Sequence, residues 1–107
     1  MLHPKILKSI VHVIVRYYDP EKIVIFGSYA KENHHQGSDI DLLVIKDTPL
    51  PKETRGLELQ HLFLDHIIPI DFHFYTNVEF EEERIIPYSF AYSIDLTGKI
   101  VYAKGKL

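Results

Sequence analysis

The chain has no cysteine, which excludes a disulfide framework and any thiolate metal site and suits a reducing, cytoplasmic setting. It has no apolar run near the roughly eighteen residues that a membrane span needs, and the opening Met1-Leu-His-Pro-Lys does not read as a secretory signal. A soluble intracellular protein with no membrane contact is the expectation. Positive charge is also scarce: twelve basic residues face fifteen acidic ones, the net charge is −3, and no basic cluster forms. Proteins that grip a nucleic acid backbone concentrate positive surface, so nucleic acid is an unlikely main ligand here.

What is present is enough for one domain. The 107 residues are 46% apolar, a length and composition that support a core without staples. Residues 4–18 space Ile6, Leu7, Ile10, Val11, Ile14, Tyr17 and Tyr18 as an amphipathic helix, with Pro4 in its first turn and Asp19-Pro20 ending it. Lys22 to Phe26 reads as a short strand closed by Gly27. One helical turn from Ser28 to about Glu32, with Ser28 as N-cap, and a polar loop over 33–38 follow.

Asp39 to Ile45 reads as a strand buried on both faces. A helix is predicted over 52–66 with Leu59, Leu62, Phe63 and His66 on one side, weakened by Gly56. In a strand over 69–75, Ile70, Phe72 and Phe74 face one way, and Asp71 and His73 lie on a polar face. Short helices over 78–84 and 87–94 follow, then a final strand or extended tail over 99–102. The order implies an α+β fold: a small mixed sheet flanked by helices.

The chemistry concentrates in Gly27-Ser28, ten residues, then Asp39-Ile40-Asp41. Acids two apart on a strand point to one face, and Asp71 joins them if its strand is a neighbour. Two carboxylates about 5 Å apart repel by roughly 3 kcal/mol at an effective dielectric near 20. Either one acid takes up a proton or a divalent cation sits between them. Hard oxygen donors favour magnesium or manganese with positions open to phosphate oxygens, while Gly27 and Ser28 at a strand-to-helix turn suit an anion. Phosphoryl or nucleotidyl chemistry is the reading.

Gly27-Ser28-x10-Asp39-x-Asp41, within Phe-Gly-Ser-Tyr-Ala-Lys and Ser-Asp-Ile-Asp-Leu-Leu-Val, resembles the signature of the DNA polymerase beta-type nucleotidyltransferase superfamily. The likeness is to its minimal MNT-domain, MntA-like antitoxins, which often pair with a HEPN-domain toxin. It is strongest over residues 23–46. The resemblance implies a polymerase-beta-like fold in a single domain over 1–107, with Gly27 and Ser28 binding nucleotide phosphates. It implies that Asp39, Asp41 and Asp71 hold two Mg2+ ions and carry catalysis, with ATP as donor. Relatives often place arginine or glycine after the Gly-Ser pair; here Lys31 is the nearby cation, and either a phosphate contact or plain solvation suits it.

The implied function is transfer of a nucleoside monophosphate, AMP from ATP, onto a hydroxyl of a HEPN-type toxin, which the chain silences as an antitoxin. Three alternatives stand beside it: an antibiotic adenylyltransferase, a module that neutralises a partner by contact alone, and an ATP sensor. Oligomerisation is left open. His34 and His35 read as solvent-facing loop residues and His73 as a neighbour standing behind Asp71, and none of the histidines is offered as a metal ligand.

Overall fold

The computed structural model describes residues 2–35 and 38–105; Gln36 and Gly37 of the polar loop lie outside the described residues. Helix α1 (Pro4–Tyr18) leads into strand β1 (Lys22–Phe26), the short helix α2 (Gly27–Ala30) and strand β2 (Ile40–Ile45). A 3-10 turn (Lys52–Thr54) precedes α3 (Leu57–Leu62) and strand β3 (Ile70–Tyr75). Helices α4 (Asn77–Glu83) and α5 (Phe90–Thr97) and strand β4 (Lys99–Ala103) complete the fold. No described helix is long and apolar enough to cross a membrane.

The sheet is mixed, in the order β3-β2-β1-β4. β1 and β2 pair antiparallel as the hairpin that returns the chain from Gly27 to the acids. β2 and β3 pair parallel, as a crossover through α3 requires. The final segment is a true strand, antiparallel to β1.

Both faces of the sheet are covered, which is why Leu42 to Ile45 are all buried. On one face Ile10 and Ile14 of α1 and Leu59 of α3 meet Ile23, Ile25, Leu42, Val44 and Phe74. On the other, Phe80 of α4 and Ala91 and Ile94 of α5 meet Val24, Phe26, Leu43, Ile45 and Tyr75. The Asp71-His73 face is therefore polar only at its start, since Tyr75 further along it packs edge-on against Phe80.

Three boundaries depart from the sequence expectation. The helix over 52–66 is broken at Gly56, which has a φ of 68° and whose missing Cβ leaves room for the Phe74 ring; an added one would lie 2.0 Å from it. Left-handed backbone stops a helix, so α3 is short and Leu62 is exposed. α5 starts three residues later than the helix read over 87–94, because Tyr88 turns left-handed at φ 66° and Ser89 caps the helix by accepting from Tyr92 N–H at 3.1 Å. Ser28 lies within α2 rather than capping it; Phe26 is the N-cap residue.

Sequence periodicity gave no sign of the bracket that ties α4 to the β2–β3 side. Arg55 is 6% exposed and donates from Nη1 and Nη2 to the Glu79 carboxylate at 2.6 and 3.0 Å. Glu79 also completes a capping box with Thr76.

Candidate active site

The site forms where β1 ends and β2 and β3 begin. Backbone register does the assembly: Phe26 pairs with Asp41, and Asp41 pairs with Asp71. Gly27 follows Phe26 in left-handed backbone at φ 72°, and a Cβ there would lie 2.3 Å from Asp41 Oδ2. Only glycine accommodates both the backbone conformation and that carboxylate. Ser28 is half-buried in α2, while Lys31 is exposed at its end, where its backbone N–H donates to Gly27 O at 3.2 Å.

Asp41 is half-buried, and Asp71 and Asp39 are exposed. Burial and then the charge of Asp71 push the Asp41 carboxyl above its usual range; His73 works against this shift and Asp39 adds to it. Ligand atoms of Asp41, Asp71 and His73 all lie within 4.8 Å of one another. Asp39, one residue before β2, stands outside that cluster among the described residues and acts on Asp41 as a like charge. His73 was expected beside Asp71 and is there, with Nε2 3.2 Å from Asp71 Oδ2.

Aromatic rings floor the site. His73 packs against Phe26 at 5.4 Å and Phe90 at 4.9 Å, and those two rings meet edge to face at 5.4 Å. Phe26 was legible as part of the Phe-Gly-Ser string; Phe90, distant in sequence and carried on α5, had no local signal. A cavity of about 450 Å3 opens on the Ser38 side, lined by Tyr29, His34, His35, Ser38 and Ile67 to Pro69, a size small-molecule sites use. His34 is not the solvent-facing residue expected: it is half-buried and stacks on Tyr29 with centroids 4.1 Å apart.

These residues fit a divalent cation. Paired carboxylates, one of them driven toward its protonated form by desolvation and a like charge, gain most from a hard cation between them. An anion-suited turn beside a carboxylate pair is the arrangement that a metal–nucleotide complex requires. The family model described as Polymerase beta, Nucleotidyltransferase matches residues 8–106. The chain belongs to the polymerase beta nucleotidyltransferase family.

Several solved structures share the fold. A toxin-antitoxin with AMP-PNP is similar at 20% identity and a TM-score of 0.62, over 92% of this chain and 74% of that one. A candidate nucleotidyltransferase from Sulfolobus solfataricus is similar at 21% identity and a TM-score of 0.58, over 95% and 81% of the two chains. A mutant of the toxin-antitoxin MntA-HpeT is similar at 16% identity and a TM-score of 0.61, over 97% and 76%. No curated protein matches the chain in sequence.

Proposed function

We propose that this nucleotidyltransferase moves AMP from ATP onto a hydroxyl of a partner protein, and that the partner is a HEPN-type toxin silenced by the modification in the cytoplasm. The observation that carries the reading is the rung shared by Asp41 and Asp71, with Gly27 pressed against Asp41, in a chain the family model spans almost completely. The fold shared with toxin-antitoxin structures, one of them with AMP-PNP, supports the antitoxin role and the choice of nucleotide.

Gly27 and Ser28 would receive the phosphates of ATP through backbone N–H groups and the Ser28 hydroxyl, with Lys31 close in sequence to add positive charge. Asp39, Asp41 and Asp71 would hold two Mg2+ ions. When bound, the ions neutralise phosphate charge and stabilise the attacking and leaving oxygens of an in-line displacement. Asp71, the more exposed acid of its rung, accepts the proton of the acceptor hydroxyl. The hydroxyl oxygen bonds to the α-phosphorus, the α–β phosphoanhydride bond breaks, and pyrophosphate leaves. The cavity beside Tyr29 and Ser38 offers the nucleoside a place next to α2.

Pyrophosphate release tests this. The protein with its co-purified toxin, ATP and Mg2+ is expected to release pyrophosphate, and Asp71→Asn to abolish release. ATP binding without any release would leave a nucleotide-binding module that acts by contact.

A further inference from the structure

We propose that His73 is a direct ligand of the ion that Asp41 and Asp71 would hold, giving a mixed carboxylate–imidazole site that takes Mn2+ in preference to Mg2+. The proposal rests on the reading of Asp41 and Asp71 as metal ligands and adds a nitrogen donor to it.

The spacing comes close to one coordination sphere. At metal–oxygen distances of 2.0–2.1 Å, adjacent ligands of an octahedron lie about 3 Å apart and opposite ones about 4 Å apart. Nε2 of His73 is 3.2 Å from Asp71 Oδ2, an octahedral edge, while the Asp41, Asp71 and His73 donors together fall within 4.8 Å, wider than an opposite pair, so the set draws in by under about 1 Å when an ion binds. Without an ion the contact is a hydrogen bond from the ring to the carboxylate. With one, the ring takes its other tautomer, with its proton on Nδ1, and Nε2 presents its lone pair to the space the two acids share.

The ring is also held in place. Asp71 and His73 share a face of β3 because they are two residues apart, so one strand supplies both donors. Phe26 and Phe90 pack against the imidazole, which restricts its rotation and presents the nitrogen edge rather than a ring face to Asp71. Across the ladder His73 pairs with Leu43, which brings no competing polar partner from β2.

A nitrogen donor changes metal choice. Mg2+ takes oxygen ligands and gives up water reluctantly; Mn2+ shares its liking for carboxylates but opens the first-row transition series, whose members take nitrogen donors more readily than Mg2+ does. The two carboxylates alone would not discriminate in this way.

The test uses the whole protein with Mn2+ alone, with no nucleotide or partner. Binding is followed by electron paramagnetic resonance titration and by Mg2+ competition, and ligation by pulsed measurement of nitrogen coupling to the bound ion. The expected result is a 14N coupling in the native protein that changes when histidine is labelled with 15N. It should disappear in His73→Leu and His73→Gln, with Mn2+ affinity down at least about tenfold, the lower bound for perturbing a ligand's support, and Mg2+ affinity nearly unchanged. Mn2+ bound without nitrogen coupling, or coupling that survives both substitutions, overturns the proposal and leaves the carboxylate reading intact. Failure of the native protein to bind Mn2+ at all overturns both. The labelled native protein decides between coupling and none even if a variant fails to fold.

Discussion

Asp41 and Asp71 share one rung of the parallel β2–β3 ladder, so backbone pairing alone sets two acids from distant parts of the chain side by side. On that face α4 and α5 cover Leu43, Ile45 and Tyr75 further along the same strands, and Phe90 of α5 comes up beside the rung against Phe26 and His73. Asp71 stays exposed and Asp41 half-buried at the strand starts, and a proton or a cation relieves the electrostatic strain at Asp41.

Asp41→Asn should therefore separate stability from activity. Because the folded state raises the pKa of Asp41, its ionisation at neutral pH opposes folding, and a neutral amide removes that opposition. The variant is expected to melt no lower than the native protein in a chelator and to show no stabilisation by Mg2+. Its transfer rate should fall on the order of 100-fold or more, the scale for loss of one electrostatic stabiliser. A large drop in melting temperature in chelator would contradict the account of Asp41.

Two glycine substitutions should fail for different reasons. Gly27→Ala places a Cβ against Asp41 Oδ2 in left-handed backbone, which costs about 1–2 kcal/mol from the backbone and displaces the acid, so ATP-dependent transfer should be lost even where the fold survives. Gly56→Ala meets the Phe74 ring, away from the acids, and its effect should appear in urea unfolding first. Native-like activity in Gly27→Ala would contradict the close approach.

The Arg55–Glu79 bracket predicts an acid sensitivity. The hydrogen bond from Arg55 is the main cause that lowers the Glu79 pKa to about 2 from 4.5; partial burial opposes it, and the Thr76 backbone N–H adds to the lowering. A depressed folded pKa stabilises the fold fully above pH 4.5, and that contribution is lost as pH falls toward about 2. Asp41 contributes in the opposite sense, its opposition to folding fading as pH falls below its raised pKa. Denaturation midpoints measured through this window should fall in the native protein and flatten in Glu79→Gln. An unchanged pH slope in the variant would assign the acid sensitivity to other groups.

Removing Phe90 should loosen the floor of the site. Its ring contacts both Phe26 and His73, pairs that contribute about 1 kcal/mol each at most sites, and it is 42% exposed, so Phe90→Ala is expected to lose roughly 1 kcal/mol in urea unfolding. Transfer should weaken with it, since His73 and through it Asp71 lose their packing. No change in either readout would detach Phe90 from the site.

Much of this architecture is legible in the residues because the signals are local. The periodicity of α1, the hairpin through Gly27 and the acids, and the alternation of Ile70, Phe72 and Phe74 each follow from a few adjacent side chains. What escaped depends on contacts between distant segments. Gly56 breaks its helix because Phe74 occupies the space a side chain would fill. Tyr88 delays α5 by a left-handed turn that a tyrosine does not announce. His34 becomes half-buried because Tyr29 stacks on it. Strand alternation places His73 beside Asp71, but the Phe26 and Phe90 rings that hold it come from β1 and α5.

Intact mass spectrometry of the proposed toxin partner reads nucleotidyl transfer on the acceptor itself. After incubation of the complex with ATP and Mg2+, a gain of one or more AMP units on that partner is expected, absent with Asp39→Asn/Asp41→Asn. An unmodified toxin in a stable complex with the native protein would contradict nucleotidyl transfer and leave neutralisation by contact.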